Sequence, residues 1–172
     1  MLCRHEMTHG FDDQGRKFDS VGNMRDWWSE EDGKEYERRV EVMVEQAEAF
    51  SVHGVSLKGK LTCGENIADL GGLKLAHRAL LQLLKEKSDG PQNAPLVNGF
   101  TPEQRLFLAW AQCWRENVRV ERALQLVTLD PHGPNEWRCN GPLSNMEAFH
   151  AAFGIGPGDK MYREPEKRVD IW

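Results

Sequence analysis

His5-Glu6-Met7-Thr8-His9 is the stretch on which both the fold and the chemistry turn. A helix repeats about every 3.6 residues, so side chains four apart stand one above the other, and His5 and His9 would offer two imidazoles to one ion. Glu6 lies about 100° around the helix from His5, badly placed to join the same tetrahedron but able to reach a water on the metal's open position. The spacing therefore spells two zinc ligands and a general base, because zinc brings the pKa of its water down to about 7, within reach of a carboxylate. Three fixed positions also arise by chance, and the plain alternative is a short helix that carries His5, Glu6 and His9 on its solvated side. The rest of the chain has to supply a third ligand.

The chain has 172 residues, of which 40% are apolar and 28% charged, the proportions of one globular domain able to bury a core. No apolar run approaches the roughly 20 residues that cross a bilayer, so no membrane segment is expected here. A net charge of -5 argues against nucleic acid, which demands a basic patch, and Arg38-Arg39 and Lys85 with Lys87 sit among glutamates as mixed-sign helix faces. Cys3, Cys63, Cys113 and Cys139 form no C-x-x-C pair and suggest neither a zinc knuckle nor a disulfide scaffold. The motif stands only four residues from Met1, without the upstream strands that would pack over it, which leads us to expect the tail of a larger protein.

Gly10 and the polar run from Asp12 to Arg16 predict a turn-rich loop, and the Trp27-Trp28 pair beyond it reads as core or loop anchoring, not a binding surface. Ser29 followed by Asp32 predicts a helix start, and Val40, Met43, Val44, Ala47 and Phe50 give that helix one buried stripe. Gly54 to Lys60 reads as a short loop. One long helix is predicted from about Gly64 to Lys87; Gly71-Gly72 inside it costs about 1 kcal/mol per glycine, which a close approach of another helix would explain. Thr101-Pro102-Glu103-Gln104 is a capping box opening a helix whose residues from Leu106 to Trp114 are apolar almost all round, as in the middle of a core. Two prolines and a glycine keep residues 129–135 out of any helix and put His132 in a constrained loop. Ser144 with Glu147 predicts the cap of a last helix that ends at Gly154.

Glu65, at the start of the long helix, is the candidate third ligand, and Asp69 one turn along would face the same way and could fix the tautomer of a ligand histidine. On spacing alone, both acids could equally be stabilising the positive end of their own helix.

The sequence resembles the neprilysin and endothelin-converting-enzyme family of zinc metallopeptidases. The resemblance is carried by His5 to Asp13, Gly64-Glu65-Asn66-Ile67-Ala68-Asp69 with Gly71-Gly72, Trp110-Ala111-Gln112, and the tail from Gly158-Asp159-Lys160 to Trp172. It implies a mainly α fold, the helical lobe of a thermolysin-like zinc peptidase. Residues 1–172 would be the C-terminal portion of the catalytic domain, without the upstream peptide-binding strand and roofing helical domain, which are possible partners of this chain. It implies one zinc ion on His5, His9 and Glu65, with Glu6 as base and Asp69 orienting a ligand histidine. His132 would stabilise the oxyanion, Arg138 would hold a backbone carbonyl of a peptide substrate, and Cys113 and Trp114 would line the pocket beyond the cleaved bond. His53, His77 and His150 match no functional position and are read as structural. Arg4 and Leu70 depart from the family pattern without removing a ligand, and the tail lacks the cysteine of animal members. The family also implies an extracytoplasmic parent. The rival expectations are a zinc-holding piece that turns nothing over, or a metal-free helical interaction domain.

Overall fold

The protein is described by a computed structural model covering residues 2–88 and 90–171. Among these residues the fold is almost wholly helical. Helix α1 (Leu2–Thr8) runs into a 3-10 turn (His9–Phe11), and a long loop leads to α2 (Glu30–Glu48). A minimal hairpin of β1 (Ser51–Val52) and β2 (Val55–Ser56) precedes α3 (Cys63–Ser88), the longest element. Then come α4 (Pro102–Cys113), α5 (Val120–Leu129), α6 (Asn135–Ser144) and α7 (Glu147–Phe153).

Local chemistry starts these elements where the sequence predicts. The Ser29 hydroxyl accepts from the Asp32 amide, and Glu30, Glu31 and Asp32 place negative charge at the positive end of α2. Val40, Met43, Val44 and Ala47 form its buried stripe, joined by Tyr36. At α4 both bonds of the capping box are present: Gln104 N donates to Thr101 Oγ1 at 3.2 Å and Thr101 N to Gln104 Oε1 at 3.0 Å. Gly154, at φ 65°, ends α7 in the left-handed conformation that favours glycine.

Four readings need correction. Helix α4 is not buried in the middle of the core: Phe107 and Trp110 are buried, whereas Leu108 is 38% exposed and Cys113 is exposed, because α4 packs on its neighbours by one face only. Ser144 does not cap α7, whose N-cap is Met146; it ends α6, donating to Gly141 O and accepting from Arg163 Nε. Residues 51–56 are a hairpin, not plain loop, turned by His53 (φ 48°) and Gly54 (φ 83°). Residues 129–135 are not wholly outside helix, since Leu129 ends α5 and Asn135 opens α6; α6 holds Gly141 and Pro142, which argue against a helix, and it forms because Trp137 and Leu143 are buried.

The main core joins α2, α3, α4 and α6 through Met43, Ile67, Leu70, Leu73, Phe107, Trp110 and Leu143, with Phe149 of α7 packed against it, and the tail closes it with Val169 and Ile171. A second cluster of Ala47, Leu57, Val127 and Trp137 sits beneath the hairpin. Helix α1 lies across α3. They meet at Gly72, where an added Cβ would stand 2.8 Å from the backbone N of His5 and 3.0 Å from its Cα. That is the close approach the glycine pair foretells.

Gly72→Ala therefore has a definite sign. Helix propensity would gain about 1 kcal/mol, but the clash is with backbone, which cannot rotate away, and overpacking of this kind costs about 1–3 kcal/mol or more. The variant is expected to unfold at lower temperature and to bind zinc more weakly, as read by thermal unfolding and metal titration; a Tm at or above the parent's would contradict this packing.

Candidate metal centre

Helix α1 delivers His5 from its last full turn, and His9 opens the 3-10 turn that follows, so the two rings stay on one side although only His5 is within the α-helix. Their centroids are 4.7 Å apart and their Nε2 atoms 3.2 Å apart. From the first turn of α3, Glu65 reaches both: Oε2 lies 3.3 Å from His5 Nε2 and Oε1 lies 3.4 Å from His9 Nε2. One donor atom from each of His5, His9 and Glu65 falls within 4.8 Å of the others, the only such group of three among the described residues. The reach of Glu65 across the helix crossing follows from the contact at Gly72, two turns further along α3.

The far nitrogen of each imidazole meets a carboxylate. His5 Nδ1 lies 2.8 Å from Asp69 Oδ1, an ionic contact with a poor angle for a hydrogen bond, and Asp69 is 1% exposed. His9 Nδ1 is 2.7 Å from Asp12 Oδ2. Asp12 is itself fixed, its Oδ1 accepting from the amides of Gln14 and Gly15 at 2.9 and 2.6 Å. With Nδ1 protonated toward an acid, each ring turns the Nε2 lone pair inward, which is the tautomer a metal ligand needs. Sequence reading assigned Asp69 and passed over Asp12 as part of a polar turn; its place three residues after His9, on the turn that continues α1, was the available signal.

Positive charge is favoured here. Burial disfavours the imidazolium of His5, but the close carboxylates of Asp69 and Glu65 outweigh it and, with no metal bound, hold its pKa up at about 9. Burial would raise the Glu65 carboxyl, yet His5, His132 and Arg138 pull it below the ordinary carboxylate range. The chemistry of the set, two imidazole nitrogens and one carboxylate converging, fits zinc.

Two further groups converge on the same carboxylates. His132, in the loop before α6, brings Nε2 to 3.3 Å from Glu65 Oε1, while Asp130 Oδ1 lies 2.8 Å from its Nδ1 and accepts from its amide at 2.9 Å. Both ring nitrogens of His132 thus face carboxylates. Arg138 on α6 forks onto Asp69, Nε to Oδ2 at 2.8 Å and one terminal nitrogen to Oδ1 at 2.9 Å, and the same nitrogen reaches Glu65 Oε2 at 3.0 Å. Its guanidinium stacks over Trp114, 4.3 Å from the ring centre. Glu6 is exposed on α1, one residue beyond His5.

Beside this cluster lies a groove of about 560 Å³ lined by His132, Arg138, Trp114, Glu136 and, at the hairpin tip, His53. Cys113 does not belong with Trp114 in that groove; its thiol is exposed and donates back to Ala109 O. His77 bonds Glu103 and stacks on Phe107, and His150 is buried against Met161 O, both consistent with structural roles.

The model of peptidase family M13 matches residues 1–169. The chain belongs to that family. It is 40% identical over 172 residues to human endothelin-converting enzyme 1, and 39% identical over 170 residues to neprilysin-1 of Caenorhabditis elegans. It covers 100% and 98% of itself in these matches but only 22% of each relative, so the M13 chain described here spans about a fifth of their length. In structure it is similar to the zinc metalloprotease ZMP1 of Mycobacterium tuberculosis, solved with an inhibitor: TM-score 0.92 and 41% identity over 99% of this chain and 26% of that one. PepO from Lactobacillus rhamnosis gives TM-score 0.82 and 34% identity over 98% of this chain and 24% of that one. The helical architecture is that of these M13 peptidases.

Asp12→Ala is expected to weaken zinc affinity about 10- to 100-fold, as loss of a carboxylate behind a ligand histidine does, and Asp69→Ala to do the same from the other ring. Competition with a chelator measures both; affinity unchanged in the Asp12 variant would remove it from the site.

Proposed function

We propose that this M13 chain carries the zinc-holding and proton-transferring residues of a metalloendopeptidase that cleaves oligopeptides. The observation that supports this most directly is the convergence of His5, His9 and Glu65, with a carboxylate behind each imidazole. Zinc bound by these three supplies a Lewis acid that acidifies water and polarises a carbonyl. Glu6, exposed beside the ligands, takes the proton from the attacking water and passes it toward the leaving amine. His132, oriented by Asp130, donates from Nε2 to the oxygen on which negative charge develops, a contribution of about 3 kcal/mol for a well-placed donor. Asp69 holds His5 and is itself fixed by Arg138. The remaining reach of the Arg138 guanidinium, above Trp114, offers a donor to a peptide carbonyl in the groove. Cys113 has no part in this reading as the thiol lies outside that groove.

We read residues 1–172 as the C-terminal part of a catalytic domain whose other lobe closes that groove, in a parent working outside the cytoplasm, as the family resemblance implies. No helix among the described residues is long and apolar enough to cross a membrane. The span of about a fifth of the relatives favours one second reading, a chain that holds zinc without turnover until that lobe is present.

An assay on an internally quenched peptide, with and without chelator, on this chain and on a protein of the relatives' full length, separates the two. In whichever form is active, Glu6→Gln should keep stoichiometric zinc and lose at least a hundredfold in kcat; undiminished turnover would exclude Glu6 as the base. His132→Ala should lower kcat by about two orders of magnitude with metal content unchanged, and parallel loss of metal and rate would show that histidine to be structural.

A further inference from the structure

A cavity of about 720 Å³ lies away from the metal centre. It runs along α4, α6 and α7, and its walls are apolar, formed chiefly by Phe107, Leu108, Phe149, Phe153 and Met161. Set into this wall is Arg163. Its Nε donates to Ser144 Oγ at 2.8 Å, and Ser144 is held in turn by donating to Gly141 O at 2.8 Å. The backbone oxygen of Arg163 accepts from Arg168 Nε at 2.9 Å, which ties down the other end of the residue.

The remaining nitrogens of this guanidinium have no ionic partner among the described residues. Among the described residues, Arg16 pairs with Glu37 and Arg138 with Asp69 and Glu65, whereas no carboxylate lies within ion-pair distance of Arg163. Burial pulls its proton affinity down and no neighbouring acid compensates. Setting an arginine into an apolar wall without an acid costs stability that an apolar residue there would not. The planar fork is the group that binds carboxylates in bidentate fashion. Lys160 adds a second, exposed cation to the lining; Glu136 also lines the cavity but makes no ion pair with either.

We propose that this cavity is a second binding site, distinct from the metal centre, for a ligand with an apolar body ending in a carboxylate, whose two oxygens pair with the free edge of Arg163 while the body packs on Phe107, Phe149 and Phe153. The volume lies within the roughly 300–1,000 Å³ of small-ligand sites. The chemistry is shared by the C-terminus of a peptide with an apolar last residue and by a free medium-chain fatty acid. The inference stands independently of the peptidase reading, since none of the metal-centre residues lines the cavity.

The test is calorimetric titration of the metal-stripped chain, so that no ion can capture the acid. One arm compares a tripeptide ending in free phenylalanine with its C-terminal amide; the other compares octanoate with octanol. In at least one arm the acid should bind at least tenfold tighter than its neutral partner, and whichever arm responds identifies the source. Arg163→Gln should abolish that preference while His5→Ala leaves it intact; Arg163→Lys, which keeps the charge and loses the fork, should fall between. Equal binding of acid and neutral analogue in both arms, no binding in either, or loss of the preference in His5→Ala would overturn the proposal. Because the acid-to-neutral ratio is measured on the unmutated chain, the test holds whether or not the variants fold.

Discussion

Everything at the metal centre depends on how near two helices come at Gly72. With no side chain there, the backbone of His5 rests against α3, and the distance between helix axes is set by main chain alone. Glu65 and Asp69 sit at the open end of the same crossing, so both imidazoles find a carboxylate within about one hydrogen-bond length without any side chain being stretched. On its opposite side α3 is fixed by Ile67, Leu70 and Leu73, buried at 0–2% exposure, so the crossing is held by the core and not by the ligands.

Charge is then arranged around that geometry. Three carboxylates, Asp12, Glu65 and Asp69, gather where two histidines point inward, and such a group would repel itself without cations. Arg138 supplies one from α6, binding Asp69 through Nε and one terminal nitrogen, the latter also touching Glu65. His132 supplies another from the loop before that helix. The residues that would serve chemistry therefore also balance the site, and removing any one of them changes the field at the others.

How much of this could be read from the sequence divides along physical lines. The histidine pair, the caps of α2 and α4 and the full run of α3 were legible because they depend on neighbours three or four residues away. Glu65 was legible as a candidate by its helix position, but its choice over a helix-dipole role needed the family resemblance, since 56 residues separate it from His9. The one-sided burial of α4 was not legible: an all-round apolar pattern says nothing of which neighbours are present to cover it. Helices α5 and α6 were hidden because tertiary burial of Val127, Trp137 and Leu143 overrides weak local preference. The Asp12 contact was hidden inside a run that reads as an ordinary polar turn.

The tail has a consequence of its own. Val169 and Ile171 are buried in the main core, and Asn145 ties the amide of Val169 to Gln46 of α2. The last segment of the sequence is thus clamped to the central helices by hydrocarbon and amide groups, none of them on a candidate ligand residue. A metal ion at His5, His9 and Glu65 could therefore exchange with solution as a reversible occupant of a preformed seat, unlike a zinc finger, whose chain collapses when the ion departs.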